Sequence, residues 1–158
     1  MLLDLASFSF PMVLVYELSE ELKSDPRRVE KTQALTLDQS RPLLGLAGKA
    51  GLFGSTAWWD NIVVGRLQTE LITGVISRTF FAGQDARWGN EVNAFGLLGH
   101  SGVEASMSIP ETLSKQTRRY FVAGATVAAL YALDELKKSA PDGSPAFSRV
   151  LLEMAISR

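Results

Sequence analysis

Between Gly45 and Ile109 apolar and polar residues alternate more densely than elsewhere in the chain, and glycines break the pattern at short intervals. The clearest run is Leu71 to Phe81, LITGVISRTFF, which is β-branched and aromatic and ends at Ala82-Gly83. It predicts a strand. Leu71, Val75 and Phe81 point one way and Ile72, Ile76 and Phe80 the other, so apolar residues on both faces predict a central strand covered on both sides. Glu91–Leu98 and Val103–Met107 predict two more strands around the turn Gly99-His100-Ser101-Gly102, the strongest local hairpin signal in the chain. Val150–Ile156 predicts a closing strand.

Other segments carry mixed signals. Pro11–Lys23 has an apolar stripe at Leu14, Leu18 and Leu22 and predicts a helix, although Met12–Tyr16 is also β-branched and aromatic enough for a strand. Arg27–Pro42 is polar and mixed, and predicts a connection with at most a short strand at Gln33–Leu37. Gly45, Gly48, Gly51 and Gly54 suit a twisted strand with bulges, or a loop where backbones approach closely. Ala57–Val64 follows as a further strand. Ser108-Ile109-Pro110-Glu111 has the form of a capping box and predicts a short helix to about Arg119. In Tyr120–Leu136 five alanines favour a helix, whereas Gly124 and the alternation Ala125, Val127, Ala129, Tyr131, Leu133 favour a strand after Gly124, which is the assignment adopted.

The expectation is a mainly β fold, a small antiparallel barrel or sandwich. It has an N-terminal helix, one short internal helix, and an element order like that of OB barrels. Residues 1–42 form an N-terminal extension and linker, and residues 43–158 the β domain. The likeness to OB barrels rests on element order alone, and fold does not give function.

Composition narrows the function. The chain of 158 residues is 46% hydrophobic, more apolar than most monomers, which points to an oligomer interface or an apolar pocket. A net charge of −1 supplies no field for phosphate backbones. There is no cysteine, which removes thiol nucleophiles, zinc–thiolate sites and disulfides and suits a reducing, cytoplasmic setting. Met1–Leu18 is apolar but holds Asp4 and Pro11 and lacks the basic start of a signal peptide. It predicts a segment that docks on the domain or on a second copy, with no membrane role.

No catalytic pattern is complete. Around His100-Ser101 the second glycine of a nucleophile elbow would fall at Val103. In Gly48-Lys49-Ala50 the Ser or Thr of a phosphate loop is missing, and Leu43 stands where its first glycine belongs. The single histidine makes no metal site alone, and no cofactor is implied. If Ala57–Val64 is a strand, Trp58 and Trp59 point to opposite faces, and the outer indole is a platform for a partner. Arg78 inside an apolar strand needs a carboxylate, with Asp85 or Glu70 within reach of sequence. The candidate ligand-binding residues are Trp58, Trp59, Arg78, Asp85, Trp88 and His100.

These features favour a binding or interaction module that self-associates and takes a small-molecule or protein partner. One alternative is an OB-like binder of single-stranded nucleic acid, in which Trp58, Trp59, Phe80, Phe81 and Trp88 stack bases while Lys49, Arg66, Arg78 and Arg87 track phosphate. The other is a small-ligand pocket or enzyme at the barrel mouth, using Arg78, Asp85 and His100.

Overall fold

The computed structural model describes residues 1–83 and 92–158. Its centre is a mainly antiparallel sheet of six strands. In chain order these are β1 (Met12–Glu17), β2 (Thr69–Phe80), β3 (Ala94–Leu98), β4 (Glu104–Ser108), β5 (Thr126–Glu135) and β6 (Phe147–Ser157), arranged in space as β1-β6-β5-β2-β3-β4. The mainly β, antiparallel class read from the alternation holds. The sheet stays open, with β1 and β4 as its edges. Among the described residues three α-helices accompany it: α1 (Leu18–Ser24), α2 (Pro26–Leu37) and α3 (Thr56–Val63).

Several local expectations need correction. The segment Pro11–Lys23 is not one helix: its β-branched half, Met12–Glu17, pairs with β6, and only Leu18–Ser24 is helical, burying Leu18 and Leu22. Pro26 does not merely end that helix. It occupies the first turn of α2, where its missing N–H costs nothing, so the expected connection is a twelve-residue helix. The expected capped helix from Ser108 begins later, at Ser114, whose hydroxyl accepts from Gln116 N at 3.3 Å, and it is a 3-10 segment, Lys115–Tyr120. Beyond Gly124 the chain is strand, as the alternation indicated.

The largest correction concerns Trp58 and Trp59. Both lie on α3 rather than on a strand. Ser55 caps this helix, accepting from Trp58 N at 3.2 Å, and Gly65, at φ +79°, ends it beside the bond from Val64 N to Asp60 O. Trp58 and Ile62, one turn apart, form its buried face. The glycine-rich stretch before α3 is the loop in which backbones approach closely. A Cβ on Gly51 would stand 2.9 Å from Trp58 N, and Asn61 Nδ2 donates to Ala50 O at 2.9 Å.

The core runs from Val15, Tyr16 and Leu18 through Leu152, Met154 and Ile156 to Ile76, Phe95 and Leu97, and takes in Phe53, Trp58, Ile62 and Leu67. Polar ties also pin outlying segments to this body. Lys137 Nζ donates to three carbonyls at the end of α2 and just beyond, Leu35 O (2.6 Å), Asp38 O (3.2 Å) and Arg41 O (3.2 Å), so one ammonium joins that helix to the residues after β5. The buried Glu153 of β6 accepts from both Leu2 N and Leu3 N at 2.6 Å, and Leu3 is buried. The apolar start of the chain thus docks on its own domain. No described helix is long and apolar enough to cross a membrane.

Candidate functional site

Strand alternation and register single out one exposed row. Thr126 pairs with Val75, Val75 with Leu98, and Leu98 with Glu104, so these four residues share one face across β5, β2, β3 and β4. Leu71 and Thr73 lie on that same face of β2. Leu71, Val75 and Leu98 are 53%, 43% and 39% exposed, whereas Ile76 on the opposite face is buried. The expectation that β2 is covered on both sides is therefore wrong for this half of the sheet. One side is core and the other is an apolar surface. Phe8 and Phe10, from the segment tethered by Glu153, stand along it. Together with Thr73–Val75, Leu98, Gly99, His100 and Thr126 they line a groove of about 430 Å³.

Glycines make the strand approach possible. A Cβ on Gly74 would lie 2.5 Å from the Leu98 carbonyl oxygen. Gly74 thus lets β2 and β3 close together beneath the groove.

A polar cluster borders the apolar row. Glu104 accepts from Ser77 Oγ and from Arg78 Nε (3.1 Å), and Ser77 Oγ also reaches Gly96 O at 3.2 Å. Gly96 has no side chain, and that leaves room for the carboxylate and hydroxyl. The Ser77 bond first, then Arg78, holds the Glu104 carboxyl below its ordinary value. The Arg78 guanidinium also stacks over Phe80, 4.5 Å from the ring centroid. The charge that the sequence placed inside a strand thus finds a partner 26 residues on, and the guanidinium remains accessible at its edge.

The other predicted residues that are described do not gather at one site. His100 is exposed in the β3–β4 turn and lines the groove. Trp58 is fully buried. Its Nε1 donates to Asp134 Oδ2 at 2.9 Å, and its ring meets Phe53 (5.0 Å between centroids) and Trp59 (4.9 Å) edge-on. Burial raises the Asp134 carboxyl above its ordinary value, opposed by the Trp58 bond. Trp59 is half-buried behind α1, near Leu22 and Val29. Asp85 and Trp88 lie outside the described residues. The pair Trp58–Trp59 is thus core and helix packing, which removes the stacking platform on which the nucleic-acid alternative leaned. The exposed residues Leu71, Val75, Leu98 and Phe10 were missed as a surface. For Leu71 and Val75 the only signal is apolarity on both faces of β2.

This arrangement contains a flat apolar strip, a shallow groove and one accessible charged cluster. It is suited to holding another macromolecule's side chains. A family model described as Immunity protein RhsI2 matches residues 12–157. No curated protein matches the chain.

Proposed function

The chain belongs to the RhsI2 immunity protein family, and from that premise we propose that it neutralises a cognate toxin in the cytoplasm by binding it through the open face of the sheet. Membership implies a protein partner. The exposed sheet face supports a docking place for that partner. Leu71, Val75, Leu98 and Phe10 supply the apolar centre, and the groove between Phe8, Phe10 and the β3–β4 turn receives a projecting side chain. Arg78 and Glu104 form a polar rim that orients the partner. The observation that carries this reading is the exposed row Val75–Leu98, apolar and central in the sheet, at a place where the opposite face is packed. Such a patch on an otherwise well-packed domain marks an interaction surface.

The test places a charge in that row. Val75→Lys and Leu98→Lys sit on exposed positions, the second opposite Glu104, which a cation suits, so the fold is expected to survive with a stability change within about 1 kcal/mol. Each weakens toxin binding on the order of 30-fold or more, the loss typical of a central anchor. Protection of toxin-producing cells disappears in parallel. If both variants are folded, bind the toxin as tightly as the parent and still protect, the partner docks elsewhere.

A further inference from the structure

The two edges of the sheet are built differently. β1 is closed to further pairing. Pro11 precedes it, its ladder with β6 slips between Leu14 and Tyr16, and Leu113 N donates to Val15 O at 2.9 Å, laying a loop along its outer side. Proline, irregular register and a covering loop are the devices by which sheets avoid unwanted partners. β4 carries neither a register slip nor a covering loop among the described residues, and its flanking proline, Pro110, lies beyond the segment Val103–Ile109. Its pairing with β3 runs without a slip from Ala94↔Ser108 to Leu98↔Glu104. Glu104–Ser108, EASMS, contains neither lysine nor proline.

The outward groups of β4 follow from one bond. Ile109 N donates to Asn93 O at 2.8 Å, so position 109 points its backbone toward β3. Antiparallel alternation then turns Met107 and Ala105 inward as well, and directs the N–H and C=O of Glu104, Ser106 and Ser108 away from the sheet.

The segment Val103–Ile109 reads V-E-A-S-M-S-I and is complementary to itself about Ser106. In an antiparallel pairing centred there, Ser106 meets Ser106 of a second copy, Glu104 meets Ser108, Ala105 meets Met107 and Val103 meets Ile109. The pairs at Ser106 and at Glu104–Ser108 each exchange two backbone bonds. Apolar residues face apolar residues, and no carboxylate opposes another. Centring the pairing on Glu104 instead would set two acids against each other. Met107 and Ala105 pair with the buried Phe95 and Leu97, so the apolar stripe continues across the join, and Val103, 70% exposed in the single chain, gains a partner.

We propose that two copies of this chain associate through β4, about a two-fold axis at Ser106, to form one continuous sheet. The proposal uses the sheet edge rather than the Val75–Leu98 face, so it stands or falls independently of how the toxin is bound.

Light scattering on the full chain, together with four substitutions at Ser106, tests it. The parent is expected to have the mass of two chains. Cα atoms in a bonded antiparallel pair lie about 5.5 Å apart, within the span of a disulfide. Ser106→Cys is therefore expected to cross-link to itself on mild oxidation, and the chain's lack of cysteine makes that bond unambiguous. Ser101→Cys, exposed in the neighbouring turn, serves as the control and stays monomeric on denaturing gels. Ser106→Pro deletes an outward N–H without touching the ladder to β3 and is expected to give single chains with an unchanged circular dichroism spectrum. Ser106→Lys and Ser106→Glu are each expected to be monomeric alone and to form a mixed dimer when combined. A monomeric parent, a dimer that persists in Ser106→Pro, or Lys and Glu variants that fail to pair would each overturn the proposal.

Discussion

Trp58 and Asp134 form the most consequential polar contact in the core, and removing either side should have unequal effects. The indole Nε1 donates to Asp134 Oδ2 at 2.9 Å, with the tryptophan fully buried and the aspartate only 3% exposed. Trp58→Phe removes the donor and leaves the buried carboxylate with only its backbone bond from Glu135, at a cost of about 1–3 kcal/mol. It also opens a void of roughly 40 Å³, worth ~1 kcal/mol at the cavity coefficient measured for buried truncations. The sum, about 3 kcal/mol, lowers the melting temperature by about 6–12 °C in a domain of this size. Asp134→Asn keeps an acceptor for the indole and removes a charge that burial disfavours, so its expected change at neutral pH is within about 1 kcal/mol. The two substitutions together should fall short of additivity by about 1 kcal/mol or more, because once the carboxylate is neutral the missing donor matters less.

The pH dependence has a definite sign. Burial raises the Asp134 carboxyl in the folded chain. The folded state therefore takes up this proton at a higher pH than the unfolded state does. The group's contribution to stability is greatest below its unfolded pKa and is lost as pH rises through its folded pKa. Trp58→Phe removes the bond that opposes the rise and should steepen this dependence, while Asp134→Asn should abolish it. Urea unfolding followed by far-ultraviolet circular dichroism from pH 4 to pH 8 provides the measurement. If Trp58→Phe costs less than Asp134→Asn, or the double variant is strictly additive, the indole–carboxylate bond does not carry the energy assigned to it.

Glu153→Gln replaces one of the two anionic acceptors of the Leu2 and Leu3 amides with a donor. It should cost about 2 kcal/mol and release the segment through Phe10 to proteases, as read by limited digestion. Gly74→Ala drives a methyl against the Leu98 carbonyl, a backbone atom with little room to yield, and should destabilise by about 2 kcal/mol. Gly96→Ala should cost less, since the Glu104 side chain it meets can swing aside, and thermal melts of the pair give the ranking. Ser55→Ala deletes the cap of α3 and should lower stability by about 1 kcal/mol in the same assay.

How far the chain could be read depends on where each signal resides. The strands around Leu71–Phe80, the hairpin about Gly99–Gly102 and the strands after Gly124 announce themselves through period-two alternation and glycine turns, which are local properties. The helix at Trp58 does not. Its markers were a serine cap at Ser55 and a glycine stop at Gly65, eclipsed by two bulky aromatics that suit strands equally well. What decides the matter is the fit of Trp58 against Asp134, 76 positions away. The segment at Met12 failed for a different reason. It switches from strand to helix at Leu18, and a single helical period drawn across both halves concealed the break. The surface at Val75 and Leu98 was illegible because an apolar side chain destined for a partner looks, in sequence, like one destined for the core. Arg78 reads as a charge in need of a carboxylate, but of the two expected partners Glu70 pairs with Arg149 at 3.1 Å and Asp85 lies outside the described residues. Glu104, the residue that answers it among the described residues, comes from the next hairpin.

Lys137 has a dynamic consequence. Because a single ammonium holds three carbonyls at and beyond the end of α2, that helix cannot fray from its C-terminus without also releasing the chain just past β5. The amides of Leu35 and Leu37 should then take up deuterium in step with those near Leu136, and in Lys137→Met the helix should exchange early while the sheet interior stays protected. The side chain acts as a latch, making the end of the helix and the chain after β5 open on one clock.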